Sequence, residues 1–455
     1  MPAAGVAGGV NGASVGALAL GAALLAALGG DDALAATLAT GAALAGGALF
    51  AICARGSRES GAPAAQDTMR AANATKPQRG RMSSSVSGRP RVGGVGKGMV
   101  DLDEKVVSHI AKRPNRPILT AMNMPLELAE RRLVPDFLVR KGIQRLLKQR
   151  LREPEALEIS ALDRAPIALA TDQANLQHYE VPAGFYELVL GSHLKYSSCL
   201  WSRGATDLTQ AEEAMLALTC ERAQLEDGQR ILELGCGWGS LTLYMAARYP
   251  RARIIAVSNS HSQREHILRR ARERGLANVS VVTADMNEFE PEHAAWFDRV
   301  VSVEMFEHMR NWRTLLERVR GWLRADGKLF LHFFAHKKWT YAFETEGDGN
   351  WMGRHFFTGG MMPSANLLRE IAIPFTIKDE WIVSGTEYAK TAEAWLENLD
   401  RNEDAALAVL SGADDPARLV QRWRMFFLAC AELFGFAGGS EWFVRHALLE
   451  PKVAS

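Results

Sequence analysis

Closely spaced cysteines are absent from this chain of 455 residues. Its five cysteines lie far apart, with no C-x-x-C pair and no histidine at zinc spacing, so neither a disulfide framework nor a structural metal site is indicated. They are Cys53, Cys199, Cys220, Cys236 and Cys430. This usage is typical of a protein in a reducing compartment.

An excess of charge of either sign is also missing, since 53 Lys and Arg residues face 52 Asp and Glu residues. The net charge is +1 and the pI is near 7.7, so the chain lacks the excess of basic residues of a dedicated nucleic-acid-binding protein. We therefore expect no nucleic-acid partner. With 47% hydrophobic residues, the chain can instead bury at least one large core.

Charged side chains are nearly absent from residues 1–54, which contain only Asp31 and Asp32. The stretches 13–30 and 33–54 are uncharged and rich in Ala, Gly and Leu, and the second is long enough to span a bilayer as a helix. We therefore expect a targeting or membrane-anchor segment. Two alternatives stay open: an anchor that leaves the rest of the chain facing the cytosol, or a cleaved leader that directs it to an organelle.

Residues 55–99 are rich in Gly, Ser, Ala and Pro and carry nine basic residues against two acidic ones. This composition predicts a disordered basic linker, which could contact anionic lipid beside a membrane anchor. Residues 100–200 are expected to form a helical N-terminal subdomain. Within it, 133–151 has the spacing of an amphipathic helix, either packed on the core or facing a lipid surface or substrate.

Strand-like and helix-like segments alternate after residue 200. The strand-like segments are 230–234, 253–257, 279–282, 299–303 and 328–333, and the helical ones are 240–248, 262–275 and 312–323. This alternation predicts an α/β fold with a doubly wound, mostly parallel sheet. We place its ligand-binding core at 201–340, followed by a lid and C-terminal substrate-pocket helices at 341–455.

The first predicted strand runs into a glycine-rich loop with the sequence ELGCGWG, followed directly by a helix. Gly235 and Gly237 permit a tight turn and a close approach of a ligand to the backbone. The G-x-G-x-G spacing lacks both the dinucleotide G-x-G-x-x-G pattern and the lysine of a P-loop. Because Glu233 suits a sulfonium and an amino group better than a pyrophosphate, we expect S-adenosylmethionine here.

Polar residues follow the next two strands at the same edge of the sheet. Ser258, Asn259 and Gln263 could hydrogen-bond ribose hydroxyls, and Asp285 and Met286 suit the amino group and the ring face of adenine. Each alone could be a helix cap or a turn. Their recurrence at successive strand ends favours a nucleoside site.

Two carboxylates and an imidazole follow the fourth strand, in the sequence EMFEHM. On a helical turn, Glu304 would lie beside Glu307 and His308 at i+3 and i+4, so that all three converge on one point. Neighbouring carboxylates raise one another's proton affinity and an imidazole relieves it. The cluster is therefore predicted to hold or remove a proton near neutral pH.

Five tracts together resemble one family. They are LGSHLKYS at 190–197, the loop ELGCGWGSLTLY, the turn EMFEHM, FFTGGMMPS at 356–364 and AELFG at 431–435. They are similar to the cyclopropane-fatty-acid-synthase superfamily of S-adenosylmethionine-dependent methyltransferases, and within it to the coclaurine N-methyltransferase branch. The resemblance implies a class I methyltransferase fold with a seven-stranded sheet, a helical N-terminal extension and a helical substrate cap.

The resemblance also implies residue roles. Tyr196 and Ser197 would close over the methionine end of the cofactor, and Glu304, Glu307 and His308 would line an amine pocket. The expected activity is methylation of an amine nitrogen on a small aromatic or hydrophobic substrate. The alternative is transfer of a methylene or methyl group to an unsaturated acyl chain of a phospholipid, and a homodimer is left open.

In the lipid branch, the positions of Glu307 and His332 hold a bicarbonate that takes the proton, so this ion is expected only under the lipid alternative. Two positions depart from that branch. Ser198 stands at a cysteine position, and His355 replaces the tyrosine before the Phe-x-Gly-Gly tract. His355 is therefore a further candidate base.

Overall fold

The computed structural model describes residues 124–152, 156–169 and 181–452, which belong to one compact unit. Its helices are α1 (Met124–Glu130), α2 (Asp136–Arg152), α3 (Ile159–Asp163), α4 (Ala183–Val189), α5 (Leu208–Arg222), α6 (Ser240–Arg248), α7 (His261–Glu273), α8 (Trp312–Trp322), α9 (Trp351–His355), α10 (Leu367–Glu370), α11 (Gly385–Arg401), α12 (Glu403–Val409) and α13 (Pro416–Gly435). The strands are β1 (Arg230–Leu234), β2 (Arg253–Ser258), β3 (Val279–Thr283), β4 (Phe297–Val303), β5 (Leu323–His336), β6 (Tyr341–Ala342), β7 (Met361–Met362), β8 (Phe375–Val383) and β9 (Trp442–Pro451).

The central sheet has seven strands in the order β3-β2-β1-β4-β5-β9-β8. Strands β1 to β5 pair in parallel, and β9 runs antiparallel to both β5 and β8. The chain order reverses beside β1, so the carboxyl ends of β1 and β4 border the crevice in which a doubly wound sheet binds its ligand. The predicted doubly wound, mostly parallel sheet of seven strands is confirmed.

The sheet does not end at residue 340, where the sequence placed the end of the core. Strands β8 and β9 complete it from within 341–455, the segment assigned to lid and pocket helices. The first eight residues of β9 are buried, so its sequence shows no polar alternation. A fully buried strand cannot be told from a buried helix by periodicity alone.

Helices α1, α2, α11 and α13 form a helical cap, which shares one hydrophobic core with α4 and α5. Buried charges join its helices. Arg424 on α13, with a side chain only 4% exposed, donates to Asp136 at the start of α2 and to Asp400 on α11. Glu130 at the end of α1 accepts hydrogen bonds from Arg418 and Arg422 of α13. The predicted amphipathic helix therefore exists as α2 and packs on the other cap helices.

Residues 1–99, with the predicted targeting segment and linker, lie outside the described residues. Within the described ranges, no helix combines the length and the apolar character needed to cross a membrane.

Candidate active site

Two glycines in the loop after β1 have a left-handed backbone conformation, which other residues rarely adopt, and they differ in the space around them. Gly235 has φ 76°, and a Cβ there would lie 2.5 Å from Cβ of Met305. Gly237 also has a positive φ of 52°, but a Cβ would meet nothing within 4 Å. Gly235 therefore lets the loop pack on the end of β4, whereas Gly237 leaves open space in the crevice.

Glu233, near the end of β1, is buried and accepts a hydrogen bond of 2.5 Å from the hydroxyl of Thr242 on α6. Burial raises the pKa of its carboxyl to about 8, although the Thr242 bond opposes this shift. Two further hydroxyls on the same cavity, those of Thr219 and Ser240, are buried without a hydrogen-bond partner among the described residues. These groups fit the polar methionine end of the cofactor.

Every residue that the sequence assigned to the cofactor lines one cavity of about 170 Å³ at the carboxyl edge of the sheet. These residues are Tyr196, Ser197, Glu233, Gly235, Gly237, Ser258, Asn259, Gln263, Asp285 and Met286. Ser258 donates to the side chain of Gln263 at 2.7 Å, and one oxygen of Asp285 accepts from the backbone N–H of Asn287. The strand ends thus present a preorganised polar rim that suits a nucleoside.

The segment 191–198 covers this cavity and is held by a buried carboxylate. Glu212 on α5 accepts hydrogen bonds from the backbone N–H groups of Gly191, His193 and Lys195 at 2.9, 2.8 and 3.1 Å. Burial raises the pKa of Glu212 to about 7. The ammonium of Lys195, itself 2% exposed, donates to the carbonyl oxygen of Ser198 at 2.7 Å. Glu212 thereby positions the segment that carries Tyr196 and Ser197.

Glu304 lies directly after β4 in a left-handed backbone conformation, with φ 48°. Its Oε1 accepts from the backbone N–H of Ser198 at 2.9 Å and faces Nε2 of His332 at 3.1 Å, and its Oε2 accepts from the hydroxyl of Tyr388 at 2.7 Å. Burial raises the pKa of Glu304, while the charge of Lys195 and these donors favour the ionised form. A strained backbone that aims a carboxylate at three donors marks a functional position.

Glu307 and His308 lie on a short 3-10 turn, Phe306–His308, and their side chains have different surroundings. His308 lines the cofactor cavity and stacks on Phe357, with ring centroids 5.7 Å apart. Glu307 is fully buried, and its Oε1 accepts from the backbone N–H of Phe334 at 2.6 Å. Burial and the charge of Glu304 raise the pKa of Glu307 well above its usual range. Of the two carboxyls, Glu307 therefore has the higher proton affinity.

The predicted convergence of all three side chains is corrected in one respect. Glu304 and His308 line the cofactor cavity, whereas Glu307 is buried beside Glu304 and is not among the residues that line it. The helical i+3 and i+4 spacing does not apply, because Glu304 precedes the turn with a positive φ.

The two other candidate bases lie outside the cavity linings. His332 is buried behind Glu304. His355 lies 3.7 Å from Glu130 in the cap, and burial and Arg422 lower its pKa to about 4. The residues do not fit a bicarbonate, since Glu304 already takes the Nε2 contact of His332 and the N–H of Ser198. A second anion beside this carboxylate would be repelled.

A second cavity, of about 730 Å³, adjoins the first. Phe334, Phe357 and Tyr388 line both cavities. Most of its remaining lining is aliphatic or aromatic and comes from α1, α2, α9 and α13. Its aromatic lining includes Trp351, Phe357 and Phe434.

Some site residues could not be found from local motifs. Tyr388 lies 84 residues after Glu304, and Glu212 lies 17 residues after Lys195, so tertiary packing alone brings each pair together. For Glu212, the sequence signal is an acidic residue at a position on α5 where the helical spacing predicts a buried apolar side chain.

Comparison with known proteins agrees with this geometry. The family model described as mycolic acid cyclopropane synthetase matches residues 169–438. An (S)-coclaurine N-methyltransferase of Thalictrum flavum subsp. glaucum is 35% identical over 357 residues, which cover 74% of this chain and 98% of that protein. A cyclopropane-fatty-acyl-phospholipid synthase of Escherichia coli is 30% identical over 49% of this chain and 55% of its own length.

Solved structures give the same result. A coclaurine N-methyltransferase bound to N-methylheliamine and SAH superposes with a TM-score of 0.68 at 35% identity, covering 73% of this chain and 100% of that chain. A cyclopropane synthase of Mycobacterium tuberculosis, at 23% identity and a TM-score of 0.53, shows the same fold over 61% of this chain and 98% of its own. The resemblance found in the sequence is confirmed: the chain belongs to the cyclopropane synthase family of S-adenosylmethionine-dependent methyltransferases.

Proposed function

We propose that this methyltransferase methylates the nitrogen of a small aromatic or hydrophobic amine. The observation that carries the proposal is the position of Glu304 and His308 where the cofactor cavity meets the apolar cavity. Tyr388 and Phe357, which line both cavities, contact Glu304 and His308 respectively. The relatives named as amine methyltransferases support the same reading.

S-adenosylmethionine supplies a methyl group on a sulfonium, and the protein aligns the acceptor nitrogen with it. In its ionised form, Glu304 stabilises positive charge on the amine. When the nitrogen's lone pair displaces sulfur from the methyl carbon, the sulfur–methyl electron pair would stay on sulfur and His308 would take the proton that the nitrogen loses. Phe334 and Phe357 exclude water from the boundary between the cavities.

The raised pKa of Glu233 predicts a pH dependence of cofactor binding. Below about pH 8 the free protein holds this carboxyl protonated, and pairing with the cationic end of the cofactor requires its ionised form. Affinity should therefore rise as pH increases towards 8. We expect about a tenfold gain per pH unit between pH 6 and 7.5, because each proton released contributes that factor.

Titration calorimetry in buffers of different ionisation enthalpy would count the proton released. The Glu233→Gln variant is the control, since it keeps the shape of the side chain but has no proton to release. Its affinity should vary only with the cofactor's own amino group. An equally steep dependence in this variant would contradict the assignment of Glu233.

The acceptor cavity can be tested at Gly142 on α2. This glycine lines the larger cavity, and a Cβ there would meet nothing within 4 Å. Gly142→Leu should fill acceptor space and raise KM for the amine by roughly tenfold, as expected when about one buried apolar contact of the ligand is lost. The KM for S-adenosylmethionine should stay the same, as initial-rate kinetics would show.

Gly142→Ala is the matched control, because it makes the same change at Cα without filling the cavity. It should also be slightly more stable, since alanine favours a helix interior. Unchanged amine KM in Gly142→Leu, with full folding, would place the acceptor elsewhere.

A second candidate function, transfer to an unsaturated acyl chain of a phospholipid, is favoured by the size and apolar lining of the larger cavity. Leu146, which lines it, is 47% exposed, and Phe137 on the same helix is 53% exposed. Basic residues lie between them, at Lys141 and Arg145. Fatty acids extracted from cells that express the chain with a labelled methyl donor decide this. Label in acyl chains supports the second function, and label only in amines rejects it.

Membrane association through residues 13–54 and the basic linker, with the catalytic unit facing the cytosol, is part of this second proposal. The competing proposal is a cleaved leader. Fractionation of expressing cells, with the mass of the mature chain, separates them: an intact N-terminus in the membrane fraction supports an anchor, and a shortened chain in an organelle supports a leader. A homodimer is likewise a proposal, which sedimentation of the purified protein tests.

A further inference from the structure

A row of side chains crosses the sheet from Glu304 to Arg222 on α5. His332 on β5 lies opposite Val303 in β4 and opposite His446 in β9, and His446 lies opposite Trp381 in β8. Nδ1 of His332 is 3.0 Å from Nε2 of His446, and Nδ1 of His446 is 2.8 Å from a guanidinium nitrogen of Arg222. The row therefore joins the active-site carboxylate to a half-buried arginine on α5.

The proton positions along this row follow from the arginine. A guanidinium can only donate, so Nδ1 of His446 must accept. Burial lowers the pKa of both histidines well below the usual range, so each ring is neutral and carries a single proton. His446 then donates from Nε2 to Nδ1 of His332, and His332 donates from Nε2 to Glu304. Every contact in the row has one donor and one acceptor.

The opposite arrangement would require a protonated Glu304. Its hydroxyl would donate to Nε2 of His332, His332 would donate from Nδ1 to His446, and His446 would direct its own Nδ1 proton at Arg222. Two donors would then face each other at 2.8 Å. Since arginine cannot accept a proton, the row also cannot carry a proton out of the site.

We infer that Arg222 is a positioning residue that acts on Glu304 through His446 and His332, because it admits only the arrangement in which Oε1 of Glu304 accepts from His332 and carries no proton of its own. The guanidinium itself is fixed over the ring of Trp381, 4.8 Å from the ring centroid. Only the kinetic consequence of this inference rests on the proposed function.

Other titratable groups face both ends of the row and remain in the protein when Arg222 is changed. Around Glu304 they are Lys195, Glu307, His308, Tyr388 and Cys430. Around Arg222 they are Arg203 and Glu221. A change at Arg222 therefore tests the row and not the other neighbours of Glu304.

The test compares Arg222→Met with Arg222→Lys in the full chain. Methionine keeps the apolar stem and removes the donor, whereas lysine keeps a cationic group that can only donate. With histidine labelled with ¹⁵N, long-range ¹H–¹⁵N spectra identify which ring nitrogen carries the proton. The signals of His332 are assigned by their loss in a His332→Asn variant.

In the native protein and in Arg222→Lys, His332 should keep its proton on Nε2 over the whole pH range in which the protein is folded. In Arg222→Met, we expect it to move to Nδ1 as pH falls and Glu304 takes up a proton. The acid limb of the kcat profile should move to higher pH by about one unit in Arg222→Met and not in Arg222→Lys.

Retention of the Nε2 proton in Arg222→Met at every pH would overturn the inference, and so would an equal change in Arg222→Lys. A fall in kcat without a shift of the acid limb would assign Arg222 a merely structural role. The spectra need no substrate, so a failure to find amine turnover would count against the proposed function and leave this test intact.

Discussion

Glu304→Gln is expected to lower kcat by roughly 10²–10³-fold, the loss seen when a preorganised charge-stabilising group is removed from an active site. Glutamine keeps the length of the side chain and can still accept from Ser198 and His332, but it has no charge to stabilise a cationic amine. Steady-state kinetics on an accepted amine would measure the loss. The affinity for S-adenosylmethionine should change much less, because Glu233 and the strand ends hold that ligand.

Two further variants serve as the control and the comparison for this prediction. Glu317→Gln makes the same chemical change at an exposed position on α8 and controls for effects of net charge. Glu307→Gln reports on the second carboxyl. If Glu307→Gln lowers kcat by roughly 10²-fold or more while Glu304→Gln stays near native, the role given to Glu304 is wrong and belongs to Glu307.

Gly235→Ala is expected to destabilise the protein by about 2–5 kcal/mol and to abolish cofactor binding. The estimate combines a strained backbone with an overpacked contact, each typically about 1–3 kcal/mol. The added Cβ would lie 2.5 Å from Cβ and 2.6 Å from Cγ of Met305, and Cβ cannot move aside without the backbone of the catalytic turn. Denaturant unfolding and calorimetric titration with S-adenosylmethionine measure the two effects.

Gly275→Ala is the matched control for this prediction. Gly275 has a similar positive φ of 67°, but a Cβ there meets nothing within 4 Å, and the residue is not part of the cofactor cavity. It should lose only about 1–2 kcal/mol, the cost of a left-handed conformation, and bind the cofactor normally. Equal stability and equal cofactor affinity in the two alanine variants would show that the contact with Met305 does not matter.

The strands that carry the cofactor could be predicted because each is a short, largely apolar run followed by a helix or a turn. Arg230–Leu234 and Arg253–Ser258 agree with their predicted bounds to within one residue. The residues that follow them could be predicted as well, since parallel strands bring their carboxyl ends to one edge. Strand β9 escaped prediction, because burial on both faces removes the alternation by which a strand is recognised.

The reacting centre could be predicted only in part. Glu304 and His308 were found because they are close in sequence, whereas the donors that fix Glu304 come from three other parts of the chain. Ser198, His332 and Tyr388 meet it only through tertiary packing. The positive φ of Glu304 also has no sequence signal, since a left-handed glutamate arises from its surroundings. The same holds for the row from His332 to Arg222.

The most direct test of the central claim is a crystal structure of the protein with S-adenosylhomocysteine and an amine substrate. We expect adenosine between Asn259 and Asp285, and a sulfur that faces the opening between Phe334 and Phe357. The amine nitrogen should lie in line with that sulfur and within hydrogen-bonding distance of Glu304 or His308. A sulfur directed away from this opening, or an amine bound outside the larger cavity, would contradict the account.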